Sequence, residues 1–183
     1  KVKDSGNISD LQDALYAFWG KTEFHNRLFE HFQNRLDSDE NLEFAGFDSK
    51  VSSRQVATTD VYTQRLVQAL INAKVETTSS EYVEYLNTWK AIEKNRKKGG
   101  IHALVYPMSE AEKDRFLKLS AHFQQKLEVA DDLLWSRIIR GSDESVALYS
   151  DFTLEKAHSD PALMLKINNT RDSLMAENLQ FLL

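Results

Sequence analysis

Apolar residues recur every three or four positions over most of the chain, the period of an amphipathic α-helix. The first stripe is Leu11, Leu15, Phe18, Phe24, Leu28, Phe32 and Leu36, preceded by "SDLQ", in which Ser9 and Gln12 form a capping box. Gly20 interrupts this stripe, and "LDSDEN" ends or kinks it. Residues 40–58 are ambiguous between helix and loop, because Leu42, Phe44, Phe47 and Val51 stand among Gly46 and several serines. The helical period returns at about Thr59 with Val61, Tyr62, Leu66, Leu70 and Ala73. A turn in "KVETTSSEYVE" leads to a third stripe, Tyr82, Tyr85, Leu86, Trp89 and Ile92, with Thr78 and Glu81 as its expected capping box. "KNRKKGG" supplies cations for the helix C-terminus and Gly99 for a left-handed cap.

Pro107 and "SEAE" then start the clearest helix, capped by Ser109 with Glu112. Its stripe, Phe116, Leu119, Phe123, Leu127, Ala130, Leu134 and Ile138, predicts one uninterrupted element ending near Gly141. About thirty residues at 1.5 Å each give a rod of roughly 45–50 Å. A shorter helix is expected from Asp143 to about Ala157, and a last one from Asp160 at the cap and Pro161 at the first position. Leu163, Ile167, Leu174 and Phe181 are its stripe. The expected fold is therefore all-α: an elongated antiparallel helical bundle with four long helices plus shorter ones. Residues 1–183 are read as a single domain, or as two stacked helical modules.

Composition sharpens this picture. With 6 glycines and 2 prolines in 183 residues, helix breakers are too scarce for a turn-rich fold. A net charge of −5 argues against a nucleic-acid partner, which calls for a basic footprint. The absence of cysteine removes disulfides, thiolate metal sites and cysteine nucleophiles. No stretch has the ~20 apolar residues that a membrane span needs. The opening "KVKDSGNISD" lacks a methionine, as a processed or excised piece would, and the ending "AENLQFLL" has no cap, so the last helix is expected to continue beyond Leu183.

Candidate chemistry is sparse. "EKAH" sets Glu155 and His158 at i, i+3, half of a di-iron motif, but no second Glu-x-x-His accompanies it, so we expect an exposed pair and no metal. His25 and His31 point in different directions on a straight helix. Asp131 and Asp132 adjoin Trp135, yet adjacent helical positions do not face each other, and a solvated surface is expected. No nucleophile elbow, phosphate loop or dinucleotide fingerprint occurs. We expect no catalysis and no cofactor. Lys90, Lys94, Arg96, Lys97 and Lys98 are explained by the helix C-terminus they occupy.

The aromatic stripe of Tyr82, Tyr85 and Trp89 suits a core. Its tyrosines also suit a small-ligand pocket between helices, since their hydroxyls need partners when buried. The apolar run "IHALVY", residues 101–106, would be costly in an exposed loop, so it is expected to lie extended across the ends of the flanking helices with Leu104 or Val105 buried. It serves either as a hydrophobic plug or as a pocket wall. In the second case Tyr85, Trp89, His102 and Tyr106 are the candidate ligand-binding residues.

This architecture resembles the extracytoplasmic helical sensor domains of bacterial membrane receptors, the four-helix and double-bundle types of chemoreceptors, histidine kinases and diguanylate cyclases. The resemblance is one of overall architecture and carries no residue roles. It implies non-enzymatic binding of a small molecule, a homodimer, and a periplasmic location with membrane segments flanking the chain. The competing expectation is a cytoplasmic helical module that binds a partner protein without a small ligand.

Overall fold

The computed structural model describes residues 23–38, 60–96, 108–149 and 153–182, and these are helical with short connections and no strand. The chain divides into two compact units, Lys1–Gly46 with Val51–Thr58, and Phe47–Lys50 with Thr59–Leu183. Of the first unit, helix α1 (Glu23–Asp37) is described. It buries Phe29, which meets Phe32 edge to face at 6.4 Å. The Ser9 capping box, the Gly20 interruption and the ambiguous stretch 40–58 lie outside the described residues, as do His102, Tyr106 and the whole "IHALVY" segment.

The second unit contains α2 (Val61–Asn72), α3 (Ser80–Arg96), α4 (Glu110–Val129), α5 (Leu133–Tyr149), α6 (Leu154–Ser159) and α7 (Pro161–Leu182). Helices α2 and α3 pack against each other and against α4, α4 packs most extensively on α5, and α5 contacts α7. The predicted stripes form the shared core. Leu66, Ala69 and Leu70 come from α2, Tyr82, Tyr85, Trp89 and Ile92 from α3, and Phe116, Leu119, Phe123 and Leu127 from α4. Each fully buried large side chain stabilises the unit by roughly 1.5–3 kcal/mol relative to exposure. Arg115 on α4 adds a two-pronged pair with Glu84 on α3, at 2.9 Å and 2.7 Å.

The expected single rod from Ser109 to Gly141 is not formed. The chain turns back after Val129, and α4 and α5 are a helical hairpin. Asp131 adopts φ 61°, its N–H bonds the Glu128 carbonyl at 3.0 Å, and the Asp132 N–H bonds the Leu127 carbonyl at 2.9 Å. These two bonds are a Schellman stop with aspartate in the place usually given to glycine. Asp132 then caps α5 by accepting from the Trp135 N–H at 3.2 Å. The pair of aspartates is thus a helix corner, with Asp131 exposed and Asp132 partly exposed, as expected of a solvated pair. The stripe also changes register there: Leu134 is exposed, and Ile139 and Val146 turn inward instead.

Gly141, the expected terminus, is buried within α5, which runs on to Tyr149. Ser120 on α4 and Ser142 on α5 are buried as well. The helix expected over Asp143–Ala157 is correspondingly replaced by the second half of α5 and the short α6.

Ser109 and Glu112 form the predicted box, with Ser109 N–H to the Glu112 carboxylate at 2.8 Å and the Glu112 N–H to Ser109 Oγ at 3.3 Å. These bonds hold the Glu112 carboxyl below its ordinary range. Asp160 accepts from the Leu163 N–H at 3.0 Å, as its place before Pro161 predicts. Helix α3 differs. Its start is capped by Ser79, which accepts from the Tyr82 N–H at 3.2 Å, while Thr78 turns away to Glu76. A second glycine-free Schellman stop ends α2. Lys74 has φ 57°, and the Val75 N–H reaches the Leu70 carbonyl at 3.0 Å.

Candidate functional site

The helices of the second unit bring a layer of aromatic rings against a short string of polar groups. Tyr62 on α2 stacks on Trp89 at 5.7 Å and meets Trp135 at 5.5 Å. Tyr85 stacks on Phe116 at 5.4 Å and lies 4.8 Å from Phe123 and 6.1 Å from Trp89. The spacing of Tyr82, Tyr85 and Trp89 on α3 places all three on the inner face.

Tyr85 and Trp89, two of the four candidate ligand residues, therefore sit together in the core at 0% and 1% exposure. His102 and Tyr106 lie outside the described residues. The Tyr85 hydroxyl and the Trp89 indole N–H have no hydrogen-bond partner among the described residues. A buried, unpaired polar atom costs about 1–3 kcal/mol, so two of them in one aromatic layer call for an explanation.

The polar string was not legible in the sequence. Asp143, on the inner side of α5, accepts from Ser120 Oγ at 2.6 Å and from Gln124 Nε2 at 2.5 Å, both on α4. Among the described residues it has no cationic partner. Burial pushes its carboxyl up to about 7 and nearby Glu144 adds to the rise, while the bonds from Ser120 and Gln124 oppose it. The Tyr85 hydroxyl lies beside Ser120 and within electrostatic reach of Asp143 and Tyr62, without a properly angled hydrogen bond to any of them. Burial drives the Tyr85 phenol far above its ordinary range. Lower on the same hairpin, Ser136 on α5 donates to Glu128 on α4 at 2.8 Å.

A signal for these residues did exist. Ser136, Ile139, Asp143 and Val146 recur at spacings of three and four, so two of four inward positions on α5 are polar. The helix end expected near Gly141 splits this spacing between two elements.

Elsewhere the surface carries less. Between α5 and α7 an open groove of about 250 Å³ is lined by Arg140, Glu144, Asn169, Thr170, Ser173 and Glu177. Arg140 pairs with Glu177 at 3.0 Å, and the Arg137 guanidinium lies 4.6 Å over the Phe181 ring. Glu155 and His158 are exposed on α6, and Lys90 and Lys94 are exposed on α3. Among the described residues no group of three potential metal ligands converges, and no helix is long and apolar enough to cross a membrane.

No family model matches the chain, and neither the curated proteins nor the solved structures contain a match to it.

Proposed function

We propose that this chain is a non-catalytic sensor domain that binds a small molecule between its helices, as part of a bacterial signal-transduction receptor. On this reading the helices form an elongated antiparallel bundle. The domain lies outside the inner membrane, membrane segments flank it, and it acts as a homodimer. The observation that supports the binding reading is the pair of unpaired, fully enclosed polar atoms, Trp89 Nε1 and Tyr85 Oη, the second within electrostatic reach of the Asp143 carboxyl. A purely structural core gains nothing from them, whereas a ligand entering the layer would satisfy them. Small-ligand sites that are mostly apolar with a few convergent polar groups are common between helices.

The test is a thermal-shift screen of the folded chain against amino acids, organic acids and polyamines. A true ligand raises the melting temperature and changes tryptophan emission, and Tyr85→Phe and Trp89→Phe weaken both responses. A hit that binds these two variants as well as the parent would remove the assignment of the site. Turnover of any hit, abolished by a single change among these polar residues, would instead make the protein an enzyme.

A second reading, a protein-interaction module, has its own support. Val129, Leu133 and Leu134 expose apolar surface together at the α4–α5 corner, with Val129 at 84% exposure. Scattered exposed apolar residues are ordinary, but three within six positions at a protruding turn suit a docking point. A screen without hits, together with self-association in sedimentation that Leu134→Glu abolishes, would favour this reading.

A further inference from the structure

We propose that the Asp143 group is a binding site for the ammonium end of a small organic amine. The inference rests on the ligand-binding reading above and adds the chemical class. Asp143 is a part-buried carboxylate held by two neutral donors, with no cation paired to it among the described residues. Each carboxylate oxygen accepts one bond in the structure and keeps a second lone pair. Ser120 gives its proton to Asp143, which leaves the Ser120 oxygen free to accept. The Tyr85 oxygen beside it is unpaired and fully enclosed. Asp143, Ser120 and Tyr85 thus offer three acceptors in one place, and an alkylammonium has three N–H donors.

The walls agree with this choice. Tyr85, Tyr62 and Trp89 stack into one aromatic layer beside the polar string, and ring faces attract cations. An anion is disfavoured, because the Asp143 carboxylate stands in the site and the nearby charge of Glu144 adds to its negative field. A divalent metal is disfavoured too, because it calls for six or more oxygen ligands, several of them anionic. Tyr62 and Trp135 are the partly exposed members of the layer.

Protons compete for the same carboxylate. The ionisable groups around it among the described residues are Glu144 on α5, the phenol of Tyr85 on α3, and beyond them Arg171 of α7, which shares a small pocket with Glu144; α4 presents neutral Ser120 and Gln124. Burial moves the Tyr85 phenol further above its ordinary range.

The experiment uses the full chain and four-carbon probes of matched length: butylamine and 1,4-diaminobutane as cations, 1,4-butanediol as the neutral member, succinate as the anion, with spermidine as a longer amine. The expected result is saturable stabilisation by an amine at pH 8 and none by butanediol or succinate. Apparent affinity falls about tenfold per pH unit below the titration of Asp143. Asp143→Asn, checked for folding by circular dichroism, loses at least tenfold in affinity. Tyr85→Phe, which keeps the ring and the carboxylate, weakens binding less. Stabilisation by an amine that persists in Asp143→Asn overturns the site, as does silence from every amine. Butanediol, succinate or an amino acid binding in an Asp143-independent but Tyr85- and Trp89-dependent manner overturns the amine while leaving the ligand-binding reading intact. Silence from every compound in the wider screen removes both.

Discussion

Replacing Asp143 by asparagine should change how the stability of the protein depends on pH, and the structure sets the sign. In the unfolded chain this carboxyl titrates near its ordinary value of 3.8, while in the folded protein burial raises it to about 7. Between these values the folded state binds more protons than the unfolded state, so stability falls as pH rises. The contribution is fully present below about pH 4 and is lost by the time pH passes 7. A difference of about three units at 1.36 kcal/mol each sets a ceiling of ~4 kcal/mol. Asp143 retains partial access to solvent, which screens part of this and leaves about 2–3 kcal/mol. Asparagine keeps the geometry: the Ser120 hydroxyl can rotate, and the Gln124 amide can present its oxygen to the new NH2. The assay is urea denaturation of parent and variant from pH 4 to pH 8, followed by tryptophan fluorescence, with Trp89 and Trp135 reporting on this unit. The difference between the two proteins matters rather than either curve alone, because Glu84 and Glu112, held below their ordinary range by Arg115 and Ser109, contribute in the opposite sense to both. The variant should match or trail the parent at pH 4 and exceed it by about 2 kcal/mol at pH 8. A difference that stays constant across this range would show that Asp143 is not a buried, uncompensated carboxyl, and the reasoning would fail.

Three further outcomes can be checked by thermal or chemical denaturation. Lys74→Gly should stabilise the protein by about 1 kcal/mol, and Asp131→Gly by less, because aspartate tolerates the left-handed conformation better than lysine; Asp131→Val should be clearly destabilising. Ser79→Ala should cost about 1 kcal/mol through loss of the α3 cap, while Thr78→Ala should be close to neutral; the reverse order would restore the capping box expected from the sequence. Tyr85→Phe should leave the stability of the free protein unchanged or raise it by about 1 kcal/mol, since it deletes an unpaired buried hydroxyl and keeps the ring, and a large loss would mean that the hydroxyl has a structural partner.

The sequence by itself determined that the described chain is helical and which faces of α2, α3 and α4 are buried, while Leu28, Leu134 and Phe181 of the expected stripes are exposed. Apolar spacing placed Leu66 and Leu70, Tyr82 to Ile92, and Phe116 to Leu127 in the core, and local hydrogen-bonding chemistry placed the caps at Ser109 and Asp160. These features depend on neighbours within one or two turns, so the linear pattern contains them. The hairpin between α4 and α5 was decided by tertiary structure. Nothing in "EVADDLLW" forbids a continuous helix, and no glycine marks the stop. The turn places Asp131 in an unfavourable conformation, of the order of 1 kcal/mol, and the long α4–α5 contact that it permits, with Phe123, Leu127 and Ile139 in the shared core, returns more than that. The polar string is of the same kind. Ser120, Gln124 and Asp143 are 19 and 23 residues apart along the chain and meet only because the hairpin folds α5 back onto α4. The burial that raises the Asp143 carboxyl exists only once that contact has formed, so it is a property of two packed helices and of neither segment alone.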